Sequence, residues 1–239
     1  MERIILIETS TDLCSTAIVE DGNVVSKRES GNDRSHASLT AVFIDEMLRE
    51  RGCTAKECNA VCVSEGPGSY TGLRVGVSTA KGLCFGANLP LLSVSTLETL
   101  VRQTIETGEK TDFIVPMIDA RRMEVFAAVY SGDGKLIENV THSEGLPQTE
   151  KASAIIVGPE SFSELLEKGK VLFIGDGAGK CAGVINHPNA EFIQTNPKAE
   201  YMAALAAREL KEKRFKDVAY LEPFYLKDFV ITASHKKLF

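Results

Sequence analysis

The residues most suggestive of chemistry form a glycine-rich loop, Gly66-Pro67-Gly68-Ser69, directly before a helical pattern. Glycines at a helix start let backbone N–H groups approach a phosphate, and the helix dipole favours the negative charge. This loop lacks both the Gly-Lys-Ser/Thr ending of a P-loop and the third glycine of a dinucleotide fingerprint. Ser69 also has no histidine nearby in sequence to activate it as a nucleophile. By itself the loop is weak evidence for phosphate or acyl chemistry.

Acid–base and metal chemistry have still weaker candidates. Asp176, within Gly175-Asp176-Gly177-Ala178-Gly179, could act as an acid or base, although a turn aspartate is more often simply solvated. The six cysteines include no C-x-x-C pair, and no two of the four histidines are three to five residues apart, as two ligands on one helical face would be. We therefore expect neither a metal nor another cofactor.

Composition limits the partners and the compartment. The chain has 239 residues, 44% of them hydrophobic and 25% charged, which is typical of a globular protein. Its net charge of -6 disfavours autonomous binding to nucleic acid. The first ten residues lack the features of a signal peptide, and the nearly uncharged stretch Leu83–Leu97 is too short and broken to span a bilayer. We expect a cytoplasmic protein without a membrane segment.

Periodicity and turn signals predict an α/β arrangement in the first half of the chain. The predicted elements are strands Arg3–Glu8, Cys14–Glu20 and Val24–Glu29, a helix from about His36 to Arg51 capped by Ser35, strand Ala60–Ser64, a helix from about Thr71 to Ala87, strand Leu91–Val94, and a helix over Thr96–Thr107. The Asp21-Gly22-Asn23 turn joins the second and third strands as a hairpin. The chain therefore opens with three antiparallel strands.

A second unit with the same alternation is predicted after residue 107. Its elements are strands Phe113–Ile118 and Glu124–Tyr130, a short helix Glu160–Glu167, strand Val171–Ile174 and a helix Ala199–Lys213. We expect a first lobe over 1–107, with part of 200–230 packing back on it, and a smaller second lobe over 108–200. The segment after Ala219 is predicted to dock in extended form, and 231–239 to fray. The pattern indicates a duplicated α/β unit.

The second predicted helix is unusual because it has almost no charge. Between Thr71 and Pro90 only Arg74 and Lys81 are charged, and several residues are glycine or alanine. Such a helix lacks a solvated face and should be packed on more than one side. Two readings remain open: a central core helix, or a helix with one side covered by another protein chain.

Several segments together are similar to those of the TsaB (YeaZ) family. The matching segments are Ile7-Glu8-Thr9-Ser10-Thr11, Ser35-His36, Gly66-Pro67-Gly68-Ser69-Tyr70-Thr71-Gly72-Leu73-Arg74-Val75-Gly76, Thr79–Leu83, Ser93–Glu98, Asp119–Phe126 and Pro223–Leu226. The resemblance runs throughout the first half and more sparsely through the second. It implies the actin-like ATPase fold of sugar kinases and heat-shock ATPases, with two duplicated α/β lobes and mixed sheets facing a cleft. It also implies a paralogous relation to TsaD, the catalytic subunit that puts threonylcarbamoyl on adenosine 37 of tRNA.

The metal ligands of that catalytic paralogue are not retained here. Its two histidine ligands correspond to Thr96 and Leu100, and its aspartate ligand falls at Asn196. The Leu100 side chain has no lone pair to donate to the cation, and the Thr96 hydroxyl is not an imidazole, so the resemblance implies that this chain does not bind the metal in that way.

The nucleotide cradle of the paralogue is also altered. Its glycine pair in the second lobe is replaced by Asp119-Ala120-Arg121-Arg122, where the Asp119 carboxylate would repel a phosphate. The first-strand turn Glu8-Thr9-Ser10 is retained, so these three residues are weak candidates for nucleotide binding.

The resemblance therefore implies a non-catalytic partner subunit that binds and activates a TsaD-type catalytic subunit through its two N-terminal helices. Implied partners are that subunit in a heterodimer and a TsaE-type ATPase, with tRNA reached only through the complex; the chain alone would form a homodimer. Candidate contact residues are Leu39, Phe43, Met47, Leu73, Gly76, Val77, Ala80 and Leu83.

Two other classes remain possible. The first is a metal- or ATP-dependent enzyme of the same family, a carbamoyl transferase or a peptidase. The second is a tRNA-binding module, in which Arg121-Arg122 and Lys211-Glu212-Lys213-Arg214 would contact phosphates within a complex. The acidic balance of the chain opposes the second class.

Overall fold

Two mixed β-sheets with the same internal strand order organise the chain. A computed structural model describes residues 1–31, 36–137, 149 and 152–227. The predicted cap at Ser35, the docking of Phe229 and the frayed tail at 231–239 lie outside the described residues. Within the described residues, no helix is both long enough and apolar enough to cross a bilayer.

The first sheet has the strand order β3-β2-β1-β4-β5. Its strands are β1 (Arg3–Glu8), β2 (Cys14–Glu20), β3 (Asn23–Ser30), β4 (Ala60–Gly66) and β5 (Leu91–Ser95). The first three pair antiparallel, and β4 and β5 add parallel to β1. Every residue of β1 and β2 is buried because both faces of the sheet are covered.

The second sheet repeats this order as β10-β7-β6-β11-β12. Its strands are β6 (Phe113–Asp119), β7 (Glu124–Ala127), β10 (Ser153–Ile156), β11 (Val171–Gly175) and β12 (Ala190–Gln194), with β8 (Val129–Ser131) and β9 (Leu136–Ile137) at its side. Again the first three of the repeat pair antiparallel and the last two parallel. The prediction of an actin-like fold with two duplicated α/β lobes and mixed sheets is confirmed.

One predicted strand is divided in the structure. The run Glu124–Tyr130 was expected to be continuous, but it is interrupted at Ala128 between β7 and β8. Both pieces keep one register against β6, in which Ala128 falls opposite Pro116. Proline has no N–H to donate to the ladder, so the break follows from that pairing.

Six α-helices and two short 3-10 helices, Ala55–Glu57 and Ala199–Met202, complete the lobes in the described part of the chain. The α-helices are α1 (His36–Glu50), α2 (Tyr70–Ala87), α3 (Thr96–Thr107), α4 (Ser163–Leu166), α5 (Ala178–Cys181) and α6 (Ala203–Lys211). Helices α1 and α2 share a core with one face of the first sheet, whereas α6 shares a core with the other face. Helix α3 packs into the second lobe, since Leu97 and Leu100 share a core with Ile114 and Ile174.

The C-terminal segment, residues 212–227, runs across both lobes. Lys216 N donates to Leu91 O at 2.8 Å, and Phe224 N donates to Glu65 O at 2.7 Å. Leu226 is buried in the core that α3 shares with the second sheet. Lys227 Nζ then lies 2.5 Å from the Glu124 carboxylate at the start of β7. This segment therefore fastens the first lobe to the second.

Candidate functional site in the cleft and on the outer helix face

The turn after β1 was the retained candidate for nucleotide binding, and the structure encloses it. Glu8, Thr9 and Ser10 are 0%, 1% and 1% exposed. Side chains with so little exposed surface offer almost nothing to a nucleotide, so nucleotide binding by these three residues stays a prediction, and their burial favours a structural role.

The glycine-rich motif is what encloses that turn. A Cβ added at Gly68 or Gly72 would collide with the Ser10 or Thr9 carbonyl oxygen, and one at Gly76 would collide with Thr9 Oγ1. Ser69 N donates to Ser10 O at 2.6 Å, and Thr9 Oγ1 donates to Gly72 O at 2.8 Å. Only glycine permits this approach of α2 to the turn. The motif therefore serves helix packing and leaves no space for a phosphate.

Glu8 lies at the buried centre of this arrangement. Its Oε1 accepts from Ser10 N at 2.7 Å, while Oε2 has no hydrogen-bond partner among the described residues. Burial raises the pKa of Glu8 from 4.5 to about 7, partly offset by the hydrogen bonds from Ser10. A carboxyl so enclosed has no route to a substrate.

The turn after β6, in the second lobe, is filled by a lysine. Lys180 Nζ donates to Asp119 Oδ1 at 2.6 Å, to Arg122 O at 2.8 Å and to Glu124 O at 2.6 Å. Asp119 Oδ1 also accepts from Arg121 N at 2.6 Å. An ammonium group and a carboxylate thus occupy the place where a phosphate would need open backbone N–H groups.

The same turn is strained. Arg121 and Arg122 have φ angles of 70° and 50°, in the left-handed region that disfavours residues with a Cβ. Each such residue costs about 1–2 kcal/mol. Both side chains are exposed at the mouth of the cleft.

A further carboxyl faces the cleft from the second lobe. Asp176, half-buried after β11, accepts from Asp119 N at 2.9 Å. Burial raises the pKa of Asp176 to about 6, with the nearby charges of Asp119 and Asp12 adding to the rise. These acidic groups disfavour an anion inside the cleft.

Two of the three positions that correspond to metal ligands belong to the core. Thr96 is buried, and its hydroxyl lies 2.7 Å from Ser64 Oγ. Leu100 is fully buried against residues of the second sheet. Asn196 is half-buried, and its carbonyl oxygen accepts from Thr195 Oγ1 at 3.4 Å. The described residues hold no group of three or more His, Cys, Asp or Glu side chains that could ligate an ion.

Most residues expected to pair with a partner are buried within this chain. Met47, Leu73, Gly76, Val77 and Ala80 are all buried, between α1, α2 and the first sheet. Side chains this deeply buried offer little surface to another chain, so a role for these five positions in pairing stays a prediction that their burial does not favour. They support the helices from inside.

The outer face of α2 is nevertheless open. Phe85 is 86% exposed, and Ser78, Gly82 and Gly86 on the same face are exposed as well. Leu83, one of the expected contact residues, is half-buried beside this face. The face combines a large aromatic ring with small residues that permit close approach of another backbone. The helix is therefore not the enclosed core helix that one reading of the sequence allowed.

The neighbouring helix α1 adds apolar surface. Leu39 and Phe43, both expected contact residues, are half-buried, and Val42 beside them is 47% exposed. The sequence analysis did not select Phe85 and Val42, because it chose the row of most apolar residues along each helix. In the structure that row packs into the core. The available signal was the helical period: Ser78 and Phe85 share a face that is rotated by about 100° from the face of Val77 and Cys84.

A cavity of about 300 Å³ lies between the lobes. Its walls come from the ends of β4 and β5, from the segment before β10 and from the C-terminal segment, through Glu65, Gly66, Pro67, Ser95, Thr149, Ala152 and Phe224. Glu65 Oε2 is already engaged, since it accepts from Ser93 Oγ and lies 3.9 Å from Lys216 Nζ. Because the walls come from distant parts of the chain, local sequence patterns gave no sign of this cavity.

Comparison with known proteins gives consistent similarities. The model of a family described as "TsaD: tRNA N6-adenosine threonylcarbamoyltransferase" matches residues 25–233. The Escherichia coli protein described as tRNA threonylcarbamoyladenosine biosynthesis protein TsaB is 31% identical over 236 residues, which covers 95% of this chain and 96% of that protein. A tRNA N6-adenosine threonylcarbamoyltransferase from Halalkalibacterium halodurans is 38% identical, but over only 39% of this chain and 32% of that enzyme.

Among solved structures, a Pseudomonas aeruginosa protein has the same fold. It is described as an uncharacterized protein with similarity to peptidase YeaZ. The TM-score is 0.77 at 22% identity, with 95% of this chain and all of that chain covered.

Proposed function

Since the chain belongs to the TsaB family of tRNA threonylcarbamoyladenosine biosynthesis proteins, we propose that it is the non-catalytic subunit that binds and activates a TsaD-type catalytic subunit. The pairing surface in this proposal is the outer face of α2 with the adjacent part of α1. The TsaE-type ATPase and the tRNA are reached through the assembled complex.

The observation that carries the proposal is the exposed face of α2. Phe85 projects from a helix whose outer side also carries Gly82 and Gly86 and has few charges. An exposed aromatic ring amid small residues is typical of a surface that another protein covers. Arg74, the charged residue at the start of this face, is engaged with Tyr70 and Tyr225 of its own chain.

The filling of both cleft turns supports a role without catalysis. The first turn is closed by α2, and the second by Lys180, so the two usual phosphate positions of the fold are taken by the chain itself. We propose that the chain contributes surface and stability to the complex, while the partner contributes the reacting groups.

A homodimer of the isolated chain follows from the same face. An apolar helix face left uncovered by its partner can be covered by a second copy around a two-fold axis. In this proposal the homodimer and the heterodimer compete for one surface, so that adding the catalytic subunit dissociates the homodimer.

The experiment is to mix Phe85→Asp with the TsaD-type subunit and measure co-elution in gel filtration. Loss of a central aromatic anchor should weaken the heterodimer at least ~30-fold, the consequence of roughly 2 kcal/mol. The matched control is Ile156→Asp, because Ile156 is 58% exposed but lies on β10 of the second lobe. Phe85 is preferable to Val77 as a target, because a charge at buried Val77 would unfold the lobe.

The alternative is a metal- or ATP-dependent enzyme of the same family, a transferase or a peptidase. It predicts stoichiometric metal in the purified chain and tight binding of ATP in a titration. The proposal predicts neither, and it predicts that Phe85→Asp and the parent chain behave alike in both measurements. Stoichiometric metal together with tight ATP binding would favour the enzyme.

A further inference from the structure

Two arginines at the mouth of the cleft have no assigned role. Arg121 and Arg122 form the tip of the turn between β6 and β7, and both are exposed. Within the described part of the chain, neither guanidinium lies within ion-pair distance of a carboxylate, whereas nearby Lys180 and Lys227 are paired with Asp119 and Glu124. Among the described residues the two arginines thus have no carboxylate partner, on a chain whose net charge is -6.

The turn holds these arginines in a fixed place. Lys180 Nζ bonds to Arg122 O and Glu124 O, and Asp119 Oδ1 accepts from Arg121 N. Both arginines have left-handed φ angles, a conformation for which glycine or asparagine is the favoured residue. Two exposed arginines at such positions disfavour folding, and within the described residues neither side chain makes an ion pair that would compensate.

The surrounding charges decide which anion these arginines can reach. Asp12 and Asp119 lie close enough to Asp176 that both raise its pKa, so acidic groups cluster beside this turn. They repel a small phosphate that would enter between the lobes. An extended polyanion lying across the rim, in contrast, would meet the two guanidinium groups first, and a guanidinium matches two phosphate oxygens at once.

We propose that Arg121 and Arg122 contact the phosphodiester backbone of the RNA substrate within the assembled complex. The inference rests on the proposed function, since the acidic chain alone is not expected to hold RNA. It assigns to this subunit a direct contact with RNA that is independent of sequence. Such contacts position the nucleic acid and do not read its bases.

Two double variants separate binding from folding. Arg121→Gln with Arg122→Gln removes both charges and keeps the side-chain bulk. Arg121→Gly with Arg122→Gly removes both charges and relieves the left-handed strain, so its thermal midpoint should equal or exceed that of the parent. A purely structural role for the arginines would give the opposite result for the glycine pair.

The matched control removes the same charge from the opposite edge of the same sheet. Lys110 and Lys168 are exposed near the amino ends of β6 and β11, whereas the arginines follow the carboxyl end of β6. Lys110→Gln with Lys168→Gln therefore changes the net charge equally, at the far side of the lobe.

The measurement is the affinity of the complex with the TsaD-type subunit for unmodified tRNA, determined at several salt concentrations. Both arginine variants should bind about tenfold more weakly or worse, and the slope of log affinity against log salt should fall by about 1 for each lost contact. The lysine control should keep the parent affinity and slope.

Each result either supports or overturns the proposed contact with RNA. An unchanged affinity and slope in the arginine variants, or an equal loss in the lysine control, would overturn the RNA contact. Loss of the heterodimer in gel filtration would indicate that the arginines contact the partner protein, and it would also overturn the RNA contact. Neither result would contradict the pairing through α2, which Phe85→Asp tests separately.

Discussion

The two lobes differ in how a helix packs against the turn between their first two strands. In each lobe a hairpin turn between the first two strands faces the cleft, and the helix between the fourth and fifth strands lies against that turn. In the first lobe this is α2, with 18 residues, whose glycines bring the helix backbone onto Thr9 and Ser10. In the second lobe it is α5, with four residues; the Lys180 side chain donates to Asp119 at the turn, and the backbone at Gly177, which caps α5, lies close to Asp119 N.

This difference accounts for where each lobe presents its surface. The long helix α2 packs through its backbone, so its row of apolar residues is buried. Its other side faces outward and carries Phe85. A short helix that fills the turn with one lysine offers little surface, and its turn displays Arg121 and Arg122 instead. We infer that the duplicated fold has been divided between a protein-binding lobe and an anion-facing lobe.

The largest effect should come from breaking the backbone contact of the first lobe. In Gly72→Ala the new Cβ collides with the Thr9 carbonyl oxygen, so the free energy of unfolding should fall by about 3 kcal/mol or more. The matched control is Gly82→Ala on the same helix, where nothing lies within 4 Å of the new Cβ. That control should gain about 0.5–1 kcal/mol. Urea denaturation of both variants checks this, and equal stabilities would refute the packing role of the motif.

A comparable effect should appear in the pH dependence of the first lobe. Glu8 has its pKa raised to about 7 by burial, against 4.5 in the unfolded chain. The folded state therefore binds more protons between these values, and stability falls as the pH rises from about 4.5 to about 7, then levels off. Glu8→Gln should abolish this loss, gaining about 3 kcal/mol on the parent between about pH 4 and pH 8. A parent and variant with parallel pH profiles would show that Glu8 is not the titrating group.

A smaller effect is expected from the lysine that fills the second turn. Lys180→Met leaves the Asp119 carboxylate and two carbonyl oxygens without their donor, which should cost about 2 kcal/mol. Hydrogen exchange should quicken in β6 and β7 and remain unchanged in β1 and β2. The exposed Lys168→Gln serves as the control, with a change near zero. Faster exchange in both lobes would mean that the two turns are not independent.

The sequence predicts the first lobe better than the second. Strand and helix periods, together with the hairpin at Asp21-Gly22, predict the order of strands and α-helices up to α3, because local patterns carry that information, whereas β10, β12 and α5 of the second lobe were not predicted. The loop at Gly68 resembled a phosphate cradle, since glycine before a helix serves ligand approach and helix packing equally well. Ligand approach and helix packing are distinguished here only by the contact between Thr9 and Gly72, which is a tertiary contact.

The same limit applies to the pairing residues. Val77 and Ala80 were predicted to contact a partner because they are apolar, but both are buried in the core of the first lobe. Apolar residues occur both at positions buried in a core and at positions covered by a partner, so residue type alone does not separate the two. Phe85 is distinguished from them only by the direction of its side chain once α2 is docked on the first sheet.

In the proposed function, the outer face of α2 binds the catalytic subunit, while α2 and Lys180 fill the turns after β1 and β6. The most direct measurement is the dissociation constant of that subunit for the parent chain, Phe85→Asp and Ile156→Asp, titrated in parallel with circular dichroism confirming the fold of each. The account predicts binding at least ~30-fold weaker for Phe85→Asp, with the parent value for Ile156→Asp. Equal dissociation constants for all three folded chains would contradict it.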